Sequence, residues 1–236
     1  MSEFIKILDE AAGKAGFNLT PLQLEQFDTY YRMLVETNKV MNLTALTEPQ
    51  DVAVKHFVDS LMAYDTYFPG KVLADVGTGA GFPGIPLAIM LPQTNFVLID
   101  SLDKRITFLK TVLEELGLSN VTLYHGRAED FGKDTSFREQ FNYCVSRAVA
   151  PLPILLEYCS PFIKVDGSLL LYKSIKTDQE VDESKHALDE LNCKIAEICT
   201  LSDDEGYKRY IIEIHKINET PIKYPRKAGK PKKNPL

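Results

Sequence analysis

The segment Asp75-Val76-Gly77-Thr78-Gly79-Ala80-Gly81-Phe82 limits the folds open to this chain more than any other. A short apolar run, Val72 to Val76, leads into it, and a helical stretch from Pro86 to Leu91 follows. Three glycines in five residues let a backbone turn tightly and approach a ligand with no Cβ atoms in the way. Strand, glycine turn and helix, in that order, put the turn at the carboxyl edge of a sheet, where α/β proteins bind cofactors.

The alternation continues downstream. Strands are predicted at Phe96 to Asp100, Val121 to His125, Phe141 to Ser146 and Leu169 to Tyr172. Helices fall between them at Lys104 to Leu116, near Leu152 to Ile163, and at Asp178 to Leu191 after the last. This is the signature of an α/β protein with a doubly wound, mostly parallel, Rossmann-like sheet. Two closing strands, Lys194 to Leu201 and Tyr207 to Ile217, have no helix between them and predict an antiparallel hairpin at one edge. Ahead of the sheet the period is helical. Phe4, Ile7, Leu8 and Ala11 share one face, and Leu24, Phe27, Tyr31 and Leu34 another. Thr20-Pro21-Leu22-Gln23 supplies an N-cap, a first-turn proline and a capping-box glutamine. Thr47-Glu48-Pro49-Gln50 carries the same signal for a third helix, reaching about Tyr67, with Val54, Phe57, Val58, Leu61 and Met62 inward. The expected organisation is a helical extension over 1–68 packed on the catalytic domain, that domain over 69–222, and a basic tail over 223–236.

The net charge of −6 is unevenly spread. Lys223, Arg226, Lys227, Lys230, Lys232 and Lys233 stand in a tail without acidic residues, which leaves the preceding 222 residues near −12. A body that acidic holds a polyanion only through local basic surfaces, and the tail is the obvious one. The same Pro- and Lys-rich segment is the one place where disorder is predicted. Cys144, Cys159, Cys193 and Cys199 form no CxxC pair and lie in apolar segments, as reduced, buried thiols do. His56, His125, His186 and His215 lack metal-ligand spacing, so no metal is expected. No apolar run approaches the roughly 18 residues of a membrane span, and the N-terminus lacks signal-peptide features. The expectation is a cytoplasmic monomer away from membranes.

Two cofactor classes are open at the glycine turn. G-x-G-x-x-G counted from Gly77 fails at Phe82; counted from Gly79 it fits, two residues late and with Pro83 inside. That shifted match leaves an NAD-dependent oxidoreductase possible, and a non-catalytic cofactor-binding RNA module is a third reading. The pattern D-x-G-x-G-x-G instead resembles the first motif of S-adenosylmethionine methyltransferases, with Asp75, Gly77, Gly79, Gly81 and Phe82 at the cofactor. Asp100 ends the second strand about 25 residues later, where a carboxylate can accept from both ribose hydroxyls. Gly126-Arg127-Ala128-Glu129-Asp130, after the third strand, stands where adenine is usually held in such folds.

Nearly the whole chain resembles one family, the small-subunit ribosomal RNA methyltransferases G (RsmG, or GidB). The likeness rests on Asn42-Leu43-Thr44-Ala45 with Lys55-His56-Phe57-Val58-Asp59-Ser60-Leu61, and above all on Asp75 through Ala88. Arg127-Ala128-Glu129, Ser146-Arg147-Ala148 and Tyr224-Pro225-Arg226-Lys227 support it. The resemblance implies S-adenosylmethionine as cofactor, held by Gly77, Phe82, Ala128, Glu129 and Arg147. It implies methylation at N7 of one guanine, with 16S ribosomal RNA or the small ribosomal subunit as partner. Thr37, Ser174, Ala228 and Lys230 depart from residues frequent in the family, and they bear on the RNA face.

The residues agree with that chemistry. Guanine N7 has a free lone pair, so transfer needs no general base, and positioning supplies the catalysis. Val145-Ser146-Arg147-Ala148 follows the fourth strand in place of the D/N-P-P-Y/F motif of amine methylation. Arg147 and Lys173, at the ends of strands four and five, are the candidates for holding guanine O6 or a flanking phosphate, or else form ion pairs. His56 and Asp59, one helical turn apart, read as a local helix contact.

Overall fold

A computed structural model describes residues 2–64, 70–174, 177–202 and 208–236. The expected 68/69 domain boundary and the Tyr67 and Tyr207 element ends lie outside them. Seven strands form one sheet in the order β3-β2-β1-β4-β5-β7-β6. The strands are β1 (Val72–Val76), β2 (Asn95–Asp100), β3 (Val121–His125), β4 (Phe141–Arg147), β5 (Ile163–Lys173), β6 (Cys193–Ser202) and β7 (Lys208–Lys216). β1 through β5 pair in parallel, and β7 runs antiparallel between β5 and β6. The chain builds outward from β1 to β3, then returns to lay β4 on the other side of β1. The carboxyl ends of β1 and β4 therefore flank the topological switch point.

Side chains alternate across the sheet, and each face has its own core. Leu73, Phe96, Leu98, Val145 and Leu170 pack with the N-terminal helices and with α5 (Gly84–Met90) and α6 (Asp103–Leu116). Ala74, Ile99, Cys144, Leu169 and Leu171 pack beneath α8 (Leu152–Cys159) and α10 (Lys185–Glu190). α1 (Glu3–Lys14) and α2 (Pro21–Met41) start on Ser2 and Thr20 caps, and Thr20 with Gln23 forms the capping box read from sequence. Tyr30, Phe27 and Phe57 are fully buried where these helices meet the sheet, each contributing about 2 kcal/mol of transfer free energy.

Four local readings change. The third helix is capped at Glu48, with no side-chain cap bond, so Thr47 is not its cap. It also runs as α3 (Pro49–Asp51), a π-helical turn over Val52–Val58, then α4 (Asp59–Leu61). π-turns release carbonyls from the regular ladder, and here the Lys55 and His56 carbonyls accept from Arg147. β5 begins at Ile163, where a helical stretch is expected to end, well before Leu169; Asp166 is left-handed (φ 65) and the register against β4 shifts there. The polar helix after β5 is two, α9 (Thr177–Glu183) and α10. A short α7 (Ala128–Phe131) follows β3. Last, the basic tail is ordered: Tyr224, Pro225 and Pro231 are buried, and the tail ends in α11 (Lys230–Lys233). Cys144, Cys159 and Cys193 are buried free thiols and Cys199 is half-buried. No described helix is long and apolar enough to cross a membrane.

Candidate active site

A cavity of about 800 Å³ opens at the carboxyl edge of the sheet. The glycine turn after β1, the ends of β2, β4 and β5, the β3–α7 loop, the π-turn and the tail all line it. The turn is tied down from beneath. Gly77 and Thr78 N–H donate to Ile99 O, at 2.8 and 3.1 Å, and Tyr30 in α2 donates its hydroxyl to Ala80 O. Gly79 (φ +64) lines the cavity in a conformation that suits glycine, and a Cβ there would meet only Gly77 O, at 4.0 Å.

Seven of the nine residues expected at a cofactor line this cavity: Gly77, Gly79, Phe82, Asp100, Ala128, Glu129 and Arg147. Asp75 and Gly81 do not. Asp75 is wholly buried; its Oδ2 accepts from the Thr78 hydroxyl at 2.7 Å and the Gly84 N–H at 2.8 Å, and Oδ1 has no partner. Burial pushes its carboxyl up to about 7 against the opposing pull of those two donors. It is a scaffold for the turn, not part of its surface. A Cβ on Gly81 would come within 2.5 Å of the Tyr30 hydroxyl, so this glycine makes room for α2. Periodicity cannot distinguish the faces of three alternating glycines.

Asp100 is 3% exposed and spans the turn: one oxygen accepts from Gly79 N–H at 2.9 Å and from Arg105 at 3.2 Å, the other from Leu102 N–H. Arg147 pairs with Asp59 at 2.6 Å, and Arg209 of β7 grips the other Asp59 oxygen at 2.9 Å. His56 is therefore more than a helix contact. Its ring stacks on Phe82 (4.6 Å between centroids), and its Nδ1 lies 3.3 Å from Arg147, a group that only donates. Nδ1 must be the acceptor, so Nε2 carries the hydrogen and donates to Thr44 Oγ1 at 2.7 Å. Burial, then Arg147, lowers the imidazole to about 3, and His56 is neutral. Ala148 follows in the left-handed region (φ 58), at a local cost of roughly 1 kcal/mol, and turns the chain away after Arg147.

Lys173 reaches the cavity but pairs with Glu180 at 2.5 Å and donates to Ala150 O. Both basic residues singled out at the strand ends thus form ion pairs within the cavity. Of the six tail cations, only Lys232 lines it. Lys223 pairs with Glu190, and Arg226 clasps the buried Glu157, while Lys227, Lys230 and Lys233 are exposed. Sequence reasoning missed Thr44, Tyr158, Tyr172, Glu180, Arg209 and Gly229 as lining residues. Thr44 stands in the Asn42–Ala45 motif, but the others carry no local signal; Arg209 lies 150 residues from Asp59. Together the lining has seven basic and four acidic side chains, a positive hollow in an acidic body. No group of three or more possible metal ligands occurs among the described residues.

The model of the GidB family, rRNA small subunit methyltransferase G, matches residues 23–209. The chain belongs to the rRNA small subunit methyltransferase G family. It is 48% identical to the ribosomal RNA small subunit methyltransferase G of Streptococcus equi subsp. zooepidemicus (strain H70), covering 96% of this chain and 97% of that one. With the Streptococcus pyogenes serotype M12 (strain MGAS2096) protein of the same name, identity is 47% over 99% and 98%. Among solved structures the fold resembles a SAM-dependent methyltransferase from Aquifex aeolicus (TM-score 0.54, 17% identity, 71% of this chain and 93% of that one). It also resembles M. jannaschii TYW2 in complex with AdoMet (TM-score 0.56, 14% identity, 73% and 80%). Sheet topology and these likenesses agree on the fold of this chain, a Rossmann-like methyltransferase sheet.

Proposed function

We propose that this chain transfers a methyl group from S-adenosylmethionine to N7 of a guanine in 16S ribosomal RNA. One observation carries the reading: the glycine turn, Asp100 and the Ala128–Glu129 step line a single cavity together with Arg147, Lys173 and Arg209. The residues fit the cofactor. The turn backbone at Gly77 and Gly79 would take its amino acid part, Asp100 its ribose hydroxyls, and Ala128 with Glu129 its adenine. Bound there, it supplies an electrophilic methyl group on sulfur.

The protein's own part is positioning. Guanine N7 attacks through its lone pair, so no residue need remove a proton first. His56 suits this arrangement, since both ring nitrogens are engaged and its pKa lies far below neutrality. Arg147, fixed by Asp59 and stacked over Phe82 at 5.1 Å, holds a fixed positive charge beside the glycine turn. A fixed cation favours electron-rich guanine O6 or a neighbouring phosphate, leaving the N7 lone pair free to attack.

Chain scission after mild reduction and aniline treatment of methylated 16S RNA tests the chemistry. It should map a single 7-methylguanine; methyladenine or 5-methylcytosine in its place ends the N7 reading. Titration with S-adenosylhomocysteine should give binding where NAD gives none, which separates this reading from the oxidoreductase. Assays on free RNA, assembly intermediates and finished subunits will identify the physiological substrate.

A further inference from the structure

The basic tail is built into the cavity wall. Arg226 meets Glu157, whose side chain is 1% exposed, through Nε and Nη2 at 2.6–3.0 Å, and its own N–H donates to the same carboxylate at 2.7 Å. Arg138 holds the approach to it, donating to the carbonyls of Gly132, Thr220, Pro221 and Tyr224. Beyond this anchor Gly229, at φ +79, donates its N–H to Glu129 Oε1 at 3.1 Å. Glu129 is 7% exposed, so few other donors can reach it. Gly229 and Lys232 then line the cavity, and Pro231 between them is buried.

We propose that Gly229 and Lys232 are cofactor-pocket residues: the tail closes the end of the cavity at Ala128 and Glu129 and helps retain the cofactor's adenine there. The inference rests on the S-adenosylmethionine reading of the cavity. Its physical basis is enclosure. Small-molecule sites bury most of their ligand, and a flat base gains from a wall on its open side. The Gly229 N–H also orients the Glu129 carboxylate, which would otherwise lose a donor in a largely dry setting.

The test uses S-adenosylhomocysteine, titrated calorimetrically into three proteins: the full chain, a chain ending at Ala228, and Gly229→Pro. The first variant keeps the Arg226–Glu157 anchor. The second removes the N–H and cannot adopt φ +79. Both should bind at least tenfold more weakly, with circular dichroism unchanged. In the full chain, the ligand should slow hydrogen exchange at the amides of Lys232 and Lys233. Exchange needs no variant, so it decides the matter if a variant misfolds. Affinities within twofold of the full chain, or exchange that ignores the ligand, overturn the proposal. Failure of the full chain itself to bind would sink the cofactor reading rather than the role of the tail alone.

Discussion

Asp59 and Arg147, 88 residues apart, meet at 2.6 Å with Asp59 only 6% exposed, and Arg209 takes the other carboxylate oxygen. One carboxylate from the helical N-terminal region thereby orients two arginines from the sheet, one of which lies over Phe82 in the glycine turn. Replacing it removes this anion from both guanidinium groups. Asp59→Ala should destabilise the fold by about 3 kcal/mol, the usual cost of breaking a buried pair. Arg147→Lys keeps charge but loses the fork that spans Asp59, His56 and the π-turn carbonyls. It should lower kcat/KM at least tenfold with little change in melting temperature. Urea melts and steady-state methylation measure the two; wild-type values in both variants would refute the positioning role.

Glycines two residues apart should fail differently. Gly79→Val should abolish S-adenosylhomocysteine binding with normal circular dichroism, since a branched side chain at φ +64 would project into the cavity. Gly81→Ala should instead lower stability, because its Cβ meets the Tyr30 hydroxyl at 2.5 Å. Equal stability losses in both would contradict this division of labour. Asp100→Ala should weaken binding by roughly 1–3 kcal/mol, because its charged hydrogen bonds disappear.

Two buried groups give opposing pH dependences. His56 falls from 6.5 to about 3, so between those values the unfolded chain binds the extra proton and stability rises with pH. Asp75 rises from 3.8 to about 7, so across that window the folded chain holds the proton and stability falls with pH. The effects offset over most of the range. Asp75→Asn retains an acceptor for Thr78 and Gly84 and removes one of the two opposing slopes. Its stability should therefore climb more steeply with pH between about 4 and 6.5, by up to about 1.4 kcal/mol per unit. Urea midpoints across that range measure it, and a slope no steeper than wild type would be evidence against the assignment.

The tail requires two separate experiments. Deleting from Arg226 onward strips the partner from buried Glu157 and should cost about 3–5 kcal/mol, so loss of RNA binding in that variant would be uninformative. Alanine at Lys227, Lys230 and Lys233, all exposed, should preserve the fold. It should flatten the slope of log RNA affinity against log salt by roughly 0.7 for each phosphate no longer neutralised. An unchanged slope would move the RNA-binding role to Lys55, Arg147 and Lys173.

Local information was enough for the frame of this protein. β1 and β3 lie where apolar runs and turn residues predict them, the Thr20–Gln23 box starts α2, and the antiparallel pairing of β7 follows from two strands with no helix between. Strand period, caps and a glycine turn act over a few neighbours, so they are legible in order along the chain. The family motif likewise pointed to Gly77, Phe82, Ala128, Glu129 and Arg147, and the end of the second strand to Asp100, all of which line the cavity. What tertiary structure alone decided is the direction and partnership of each side chain. Asp75 and Gly81 belong to the same motif as Gly79, yet packing against Gly84 and Tyr30 turns them inward. Arg147 and Lys173 carry charge at any strand end, but how that charge is held is set by Asp59, brought from the N-terminal helices, and by Glu180 in the helix that follows β5. The tail reads as soluble and loose by composition. Glu157 orders it, because a carboxylate on the buried face of α8 is stable only when something cationic comes to meet it.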